Sequence, residues 1–221
     1  MAIVNYQPPL SPYITIIYQD DDIVAVDKPS GLLSVPGKDP KHADSMINRI
    51  KRVFPTATVV HRLDMATSGL MLFALNKDAH KHISKQFELR QTSKIYRARV
   101  YGKPEVDEGS VDLPLICDWP NRPKQKGDHE NGKAALTHWK VLASGEHSSL
   151  VELYPHTGRS HQLRVHMLSL GHPILGDRLY AHEKALALAN RLQLHACQLT
   201  FTHPTTEDTH ILESICPFLA P

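Results

Sequence analysis

The chain has 221 residues, 41% of them hydrophobic, enough to bury a sizeable core in one or two packed units. Its formal charge is +2 with histidine neutral, so bulk charge gives little reason to expect a polyanionic partner. The start MAIVNYQPPLSPYITIIYQDD lacks a basic segment followed by an apolar core, and no apolar run approaches the roughly 20 residues that span a bilayer. Secretion and membrane insertion are therefore not expected. Cys117, Cys197 and Cys216 are odd in number and far apart, a pattern of neither a disulfide framework nor a zinc knuckle, which fits a reducing cytoplasm.

After Pro8, Pro9 and Pro12, the run ITIIYQDDDIVAVDKPSG predicts a hairpin of two β-rich segments around an acidic turn, ended by a Pro-Ser-Gly breaker. Asp44 or Ser45 is placed to cap a helix carrying Ile47, Ile50 and Phe54 at helical spacing, with Pro55 as its stop. VVHRLD returns to strand character. LMLFAL, residues 70–75, reads as a buried strand, and DAHKHISKQFELRQ as a helix with Ala79, Ile83 and Phe87 on one face. In KIYRARVY, alternation puts Tyr96, Ala98 and Val100 on one face of a strand and Ile95, Arg97, Arg99 and Tyr101 on the other. The polar stretch 122–133 reads as a loop. Strands are predicted at THWKVL, SLVELYP and LQLHACQLTF. SHQLRVHMLSLG predicts an amphipathic helix with Leu163, Met167 and Leu170 on one side and Gly171 as the stop. With no internal repeat, low-complexity tract or linker, residues 1–221 are expected to form a single α+β catalytic domain rich in β-structure.

Charge is unevenly placed along the chain. Residues 77–103 carry Lys81, Lys85, Arg90, Lys94, Arg97 and Arg99 against Asp78 and Glu88, and residues 122–133 form a second basic stretch. Such segments either neutralise phosphates or serve as solvated faces, and charge does not decide between the two.

The segment HRLDMATSGL brings Asp64 from a strand end into a turn of Thr67, Ser68 and Gly69, where an Asp commonly bonds local backbone. Tyr96 taken alone is compatible with core packing. Arg164 lies among apolar positions, and a buried guanidinium is costly without a paired carboxylate. Asp64 is a candidate for that partner; a bidentate bond would orient the acid and keep it ionised, as a nucleophile requires. Arg62, two residues before Asp64, would point to the same side of an extended strand, towards a phosphate or the space left by an extruded base. His61, His156, His161 and His166 invite a metal reading. Their spacing does not share a helix face, and no HExxH is present, so no metal is expected.

In order, HRLDMATSGL, KIYRARV, TGRSHQLRVHMLSLGHPILGDRLYA and LHACQLTF resemble the motifs of the RluA-type pseudouridine synthases, over about residues 17–201. VDLPLICDWPNRPKQK resembles the small dual-specificity bacterial branch of that family, and no S4-type RNA-binding domain precedes the motifs. The resemblance implies a mixed, mostly antiparallel β-sheet flanked by helices and loops, with an RNA-binding cleft. It implies Asp64 as catalytic carboxylate, Tyr96 packed on the target base and Arg164 paired with Asp64. Leu194 corresponds to an apolar position that helps close the pocket, and Arg62 and His61 are the further substrate-binding candidates.

The implied reaction breaks the N1–C1′ bond of uridine, turns the base and rejoins C5 to C1′. Such an isomerisation needs no cofactor, and no Walker A loop or dinucleotide fingerprint is present. The implied partners are a tRNA anticodon stem-loop and 23S ribosomal RNA, met by a cytoplasmic monomer. Two other classes compete. A glycoside hydrolase or nucleosidase normally needs two flanking carboxylates, and HRLDMATSGL supplies one. A non-catalytic RNA-binding module would not depend on Asp64.

Overall fold

The computed structural model describes residues 6–218. The reading of a chain start without a leader falls partly on residues 1–5, outside the described residues. Strands β1 (Ile16–Gln19) and β2 (Ile23–Lys28) form the expected antiparallel hairpin, whose turn is held by the Asp20 carboxylate accepting from the Asp22 and Ile23 N–H groups. Helix α1 (Met46–Lys51) starts at Ser45, but the Ser45 hydroxyl makes no cap bond and Phe54 lies beyond the helix. Asp44 binds Arg49 instead, at 2.8 and 2.6 Å.

Strand β3 (Thr58–Val59) is brief and is followed by β4 (Ser68–Ala74), buried along its whole length. Helix α2 (Lys77–Glu88) is capped by the Asn76 side chain, which accepts from Ala79 N, and it buries Ala79 and Ile83 as its spacing predicts. Next come β5 (Ser93–Tyr101), β6 (Glu108–Asp112), β7 (Leu115–Cys117), β8 (Gln125–Gly127), β9 (Leu136–Ser144) and β10 (Ser148–Pro155). Helices α3 (Gln162–Ser169) and α4 (Glu183–Ala187) precede β11 (Leu194–Thr202) and β12 (Thr209–Glu213).

The described residues form two compact units, 6–94 with 195–215 and 95–194 with 216–218. In the first, β2 pairs antiparallel with β1 and β4, and β12 antiparallel with β11, while β11 runs parallel to β4. Ile23, Ala25, Leu70, Leu72, Ile83, Leu199, Phe201 and Leu212 fill its core. In the second, β5, β10, β9 and β6 form an antiparallel ladder, and β7 pairs with β8 in a separate two-stranded sheet. Val165 of α3 packs there with Leu115 and Ala135. The strands are thus mixed and mostly antiparallel, flanked by helices, the expected α+β class.

Three local expectations are corrected. Of VVHRLD, Val59 alone lies in a strand, β3, and residues 60–64 lie outside it. The stretch 122–133 is not wholly a loop, because Gln125–Gly127 pairs with Leu115–Cys117. Helix α3 is not amphipathic: Gln162 through Met167 are all buried, polar residues included. Gly171 does end it, with φ +82° and its N–H on the Leu168 carbonyl.

Candidate active site

Asp64 lies half-buried in the loop between β3 and β4, and Thr67 N–H donates to its carbonyl at 3.1 Å. The backbone on both sides of it is clamped by residues 28–34. The Lys28 ammonium, fully buried at the end of β2, donates to the carbonyls of Pro29, Leu32 and Met65 at 2.9, 2.7 and 3.2 Å. Met65 O also accepts from Gly31 N, and Ala66 O from the Ser30 hydroxyl. On the other side, Ser34 Oγ donates to Leu63 O and accepts from Leu63 N. A buried charge is tolerated when polar groups surround it, and here those groups are the carbonyls that fix the carboxylate's loop. The Pro-Ser-Gly segment, read from sequence as a simple breaker, is half of that clamp. Lys28 closing an apolar strand was its one visible signal.

His61 completes a ladder. Beyond Val59, which pairs with Phe73, the Leu72 N–H donates at 2.9 Å to His61 Nε2 instead of to a backbone carbonyl. Nε2 is therefore the unprotonated nitrogen. The ring stacks on Phe87 at 4.8 Å, and burial, helped by the Lys94 charge, pushes its pKa down to about 3. Arg62 is exposed next to it.

The turn after Asp64 leads into two close approaches. Gly69 has φ +113°, and a Cβ there would run into the backbone of Ala196 on β11. Beside it, buried His195 bridges Ser68 Oγ at 2.9 Å and Ser214 Oγ at 3.0 Å. The Ser-Gly of HRLDMATSGL is thus required by the parallel β4–β11 pairing.

In the other unit, half-buried Tyr96 stands opposite Leu153 in the β5–β10 ladder, in alternation with fully buried Ala98 and Val100. Leu194 opens β11 and is 3% exposed. Buried Arg164 does meet a carboxylate: Nε and Nη2 donate to Asp177 Oδ2 and Oδ1 at 2.8 and 2.7 Å. Asp177 is 1% exposed, and its Oδ1 also accepts from Leu179 N and Tyr180 N. Sequence reasoning had not singled out Asp177. A guanidinium has five N–H donors, and this pair uses two of them while fixing its plane. The Tyr180 ring lies 5.0 Å beneath it, and Tyr180 Oη is 2.7 Å from both Gln125 N and His161 Nδ1.

The polar residues of HTGRSHQLRVH set the start of α3. Gln162 Oε1 accepts from the Thr157 hydroxyl and Arg159 N, and its amide donates to Leu136 O and Thr137 Oγ1. His166 lies 3.0 Å from Leu113 O through Nε2, so that nitrogen carries the proton and Nδ1 accepts from Thr137. Burial lowers its pKa, which keeps the ring neutral. His161, with φ 55°, provides the left-handed entry to the helix. These partners answer the metal reading of His161 and His166 with hydrogen bonds. Among the described residues, one group has ligand-like spacing: Asp20, Asp22 and His203, with atoms within 4.8 Å of one another. Its groups bond one another and their neighbours, Asp20 with His203 and Tyr18, and Asp22 with Asn76 and Thr205.

His61, Arg62 and Asp64 therefore share one loop of the first unit, and Tyr96, Arg164 and Leu194 belong to the second. Residues 22–169 match the RNA pseudouridylate synthase family model, and the chain belongs to that family. It is 58% identical over 205 residues to "Dual-specificity RNA pseudouridine synthase RluA" of Escherichia coli, covering 92% of this chain and 94% of that one. The protein of the same description from Vibrio vulnificus is 53% identical over 223 residues, covering 99% and 89%. Among solved structures, human RNA pseudouridylate synthase domain containing 1 is similar with TM-score 0.79 and 29% identity, covering 93% of this chain and 84% of that one. Human RNA pseudouridylate synthase domain containing 4 gives 0.74 and 29%, covering 92% and 88%. Within the family the chain is RluA-type, an isomerase that acts on RNA.

Proposed function

We propose that this chain isomerises particular uridines to pseudouridine in a tRNA anticodon stem-loop and in 23S ribosomal RNA, with Asp64 as the catalytic carboxylate. The observation that carries the proposal is its 58% identity over nearly the full length of a relative described as dual-specificity. The clamp on both sides of Asp64 supports the residue assignment, since a reacting group must be held in position before substrate arrives. Tyr96 stacks on the target base, and Arg164 pairs with Asp64 through donors beyond the two that Asp177 takes. Leu194 helps to close the pocket. Arg62 contacts a phosphate or occupies the place of the extruded base, whose unstacking costs a few kilocalories per mole that such contacts offset.

Asp64 serves the breaking of N1–C1′ and the joining of C5 to C1′, with the C5 hydrogen leaving as a proton and N1 taking one up, so that composition is unchanged. His61, a sequence candidate for substrate binding, acts on the site through Leu72 and Phe87, which keep its loop in register. The chain works as a single catalytic domain and as a monomer in the cytoplasm. No helix of the described residues is long and apolar enough to cross a membrane.

Tritium release from RNA labelled at uridine C5 tests this, with tRNA and 23S transcripts and Asp64→Asn as the comparison. Release by wild type and none by the variant, without free uracil, is the expected result. Release from one RNA alone removes dual specificity, free uracil favours a nucleosidase, and equal release by the variant removes Asp64 from the chemistry.

A further inference from the structure

Trp119 is 66% exposed, whereas Trp139, the other tryptophan, is 5% exposed. Trp119 sits at the tip of the β7–β8 arm, residues 118–124, which links the two strands. The tip is ordered by its own hydrogen bonds: Asp118 N to Lys124 O, Asn121 N to Asp118 O, Lys124 N to Asn121 O, and Asn121 Nδ2 to Asp118 Oδ2. Its base is anchored through Leu115, packed with Ala135 and Val165, and through Gln125 N on Tyr180 Oη. A large apolar ring is thus held out in water by a built scaffold. The Arg122 guanidinium lies over one face of the indole, 4.6 Å from the ring centroid. Arg122, Lys124 and Lys126 place three cations on the arm; Asp118, the acid at the tip, is engaged with Asn121, and Asp128 beyond β8 lies 4.0 Å from the half-exposed Lys126 ammonium. Aromatic surface flanked by cations has the chemistry of a single-stranded nucleic-acid platform: π-faces accept any base, and the cations neutralise the phosphates on either side.

We propose that Trp119 stacks on an unpaired base of the substrate RNA other than the uridine that reacts, with Arg122 holding the indole from its other face and Lys124 and Lys126 meeting the backbone. The inference rests on the reading of the chain as an RNA-modifying enzyme and adds a second point of RNA attachment. A protein partner of this arm is the alternative that the test eliminates or favours.

Binding of a synthetic anticodon stem-loop RNA to the full chain is followed by tryptophan fluorescence, with Trp139 as a buried background. Wild-type fluorescence falls on RNA addition, and the fall disappears in Trp119→Phe, which keeps most of the affinity. Trp119→Ala weakens binding by about 5- to 150-fold, the range measured for loss of one stacked base, and the loss lies in KM rather than kcat. Lys124→Gln with Lys126→Gln lowers the salt slope by about one to two. Affinity of Trp119→Ala within twofold of wild type, with no wild-type quenching, overturns the proposal and favours a protein partner. Tritium release separates the two readings: wild type inactive but binding through Trp119 sinks the proposed substrate, whereas active wild type with an indifferent Trp119 sinks the arm.

Discussion

The Lys28 ammonium and the Met65 carbonyl lie 3.2 Å apart although 37 residues separate them, and through that bond the end of β2 holds the residue next to Asp64. Lys28→Met removes the donor and leaves buried carbonyls behind. It is expected to destabilise the protein by about 2–4 kcal/mol, since each unsatisfied buried group costs roughly 1–3 kcal/mol. It should also lower kcat more than it raises KM for RNA, because the loop moves and the RNA surface does not. Urea unfolding and steady-state kinetics check this; an unchanged midpoint with unchanged kcat rejects the clamp.

Arg164 and Asp177 are a buried pair, so breaking it is worse than deleting it. Asp177→Asn should cost about 3–5 kcal/mol by breaking a buried, bidentate charge pair. Adding Arg164→Met to it should recover part of that stability but no activity. A double variant as unstable as the sum of the two single changes argues against this pairing as the source.

At Gly69, alanine meets both a left-handed φ and the Ala196 backbone. Gly69→Ala is expected to lose at least about 2 kcal/mol, beyond the strain of φ alone, because β4 and β11 must move apart. Thermal melting measures the loss, and a variant as stable as wild type excludes the close packing.

His61 links stability to pH. Its folded pKa of about 3 lies below the unfolded value of 6.5, so between those limits the unfolded chain binds more protons than the native one. Its neutral-state stability is therefore fully present above pH 6.5 and is lost as pH falls towards 3. The slope reaches at most about 1.4 kcal/mol per pH unit. His61→Gln keeps an acceptor for Leu72 N–H without a titrating ring, and denaturation midpoints across the acid range should flatten. An acid limb identical to wild type assigns the sensitivity to other groups, of which His166, also lowered by burial, is next.

The hairpin β1–β2, helix α2 and the face carrying Tyr96, Ala98 and Val100 were legible because local periodicity sets them. What escaped depends on partners remote in sequence. VVHRLD reads as a strand by composition, yet at Leu72 a side chain, His61, takes the ladder position and the backbone is released to form the Asp64 loop. Helix α3 reads as amphipathic because Gln162, Arg164 and His166 are polar; Thr137, Thr157, Leu113 and Asp177 satisfy all three inside. The family motifs exposed Asp64, Tyr96 and Arg164 as candidates, while of the residues that hold two of them or their neighbours, Lys28 is marked only by closing an apolar strand and Asp177 by nothing local.

The parallel pairing of β4 with β11 joins residues 68 and 69 to residues 195 and 196. On the ribosome, the strand that follows the Asp64 turn therefore emerges more than a hundred residues before its neighbour. Until β11 is made, Ser68 awaits His195, and the first residues of an apolar strand keep one edge unpaired, the kind of surface on which nascent chains associate wrongly. Chain segments 28–34 and 61–67 are made close together, so the turn bearing the carboxylate can be tied down early, while its supporting sheet is completed only after more than a hundred further residues.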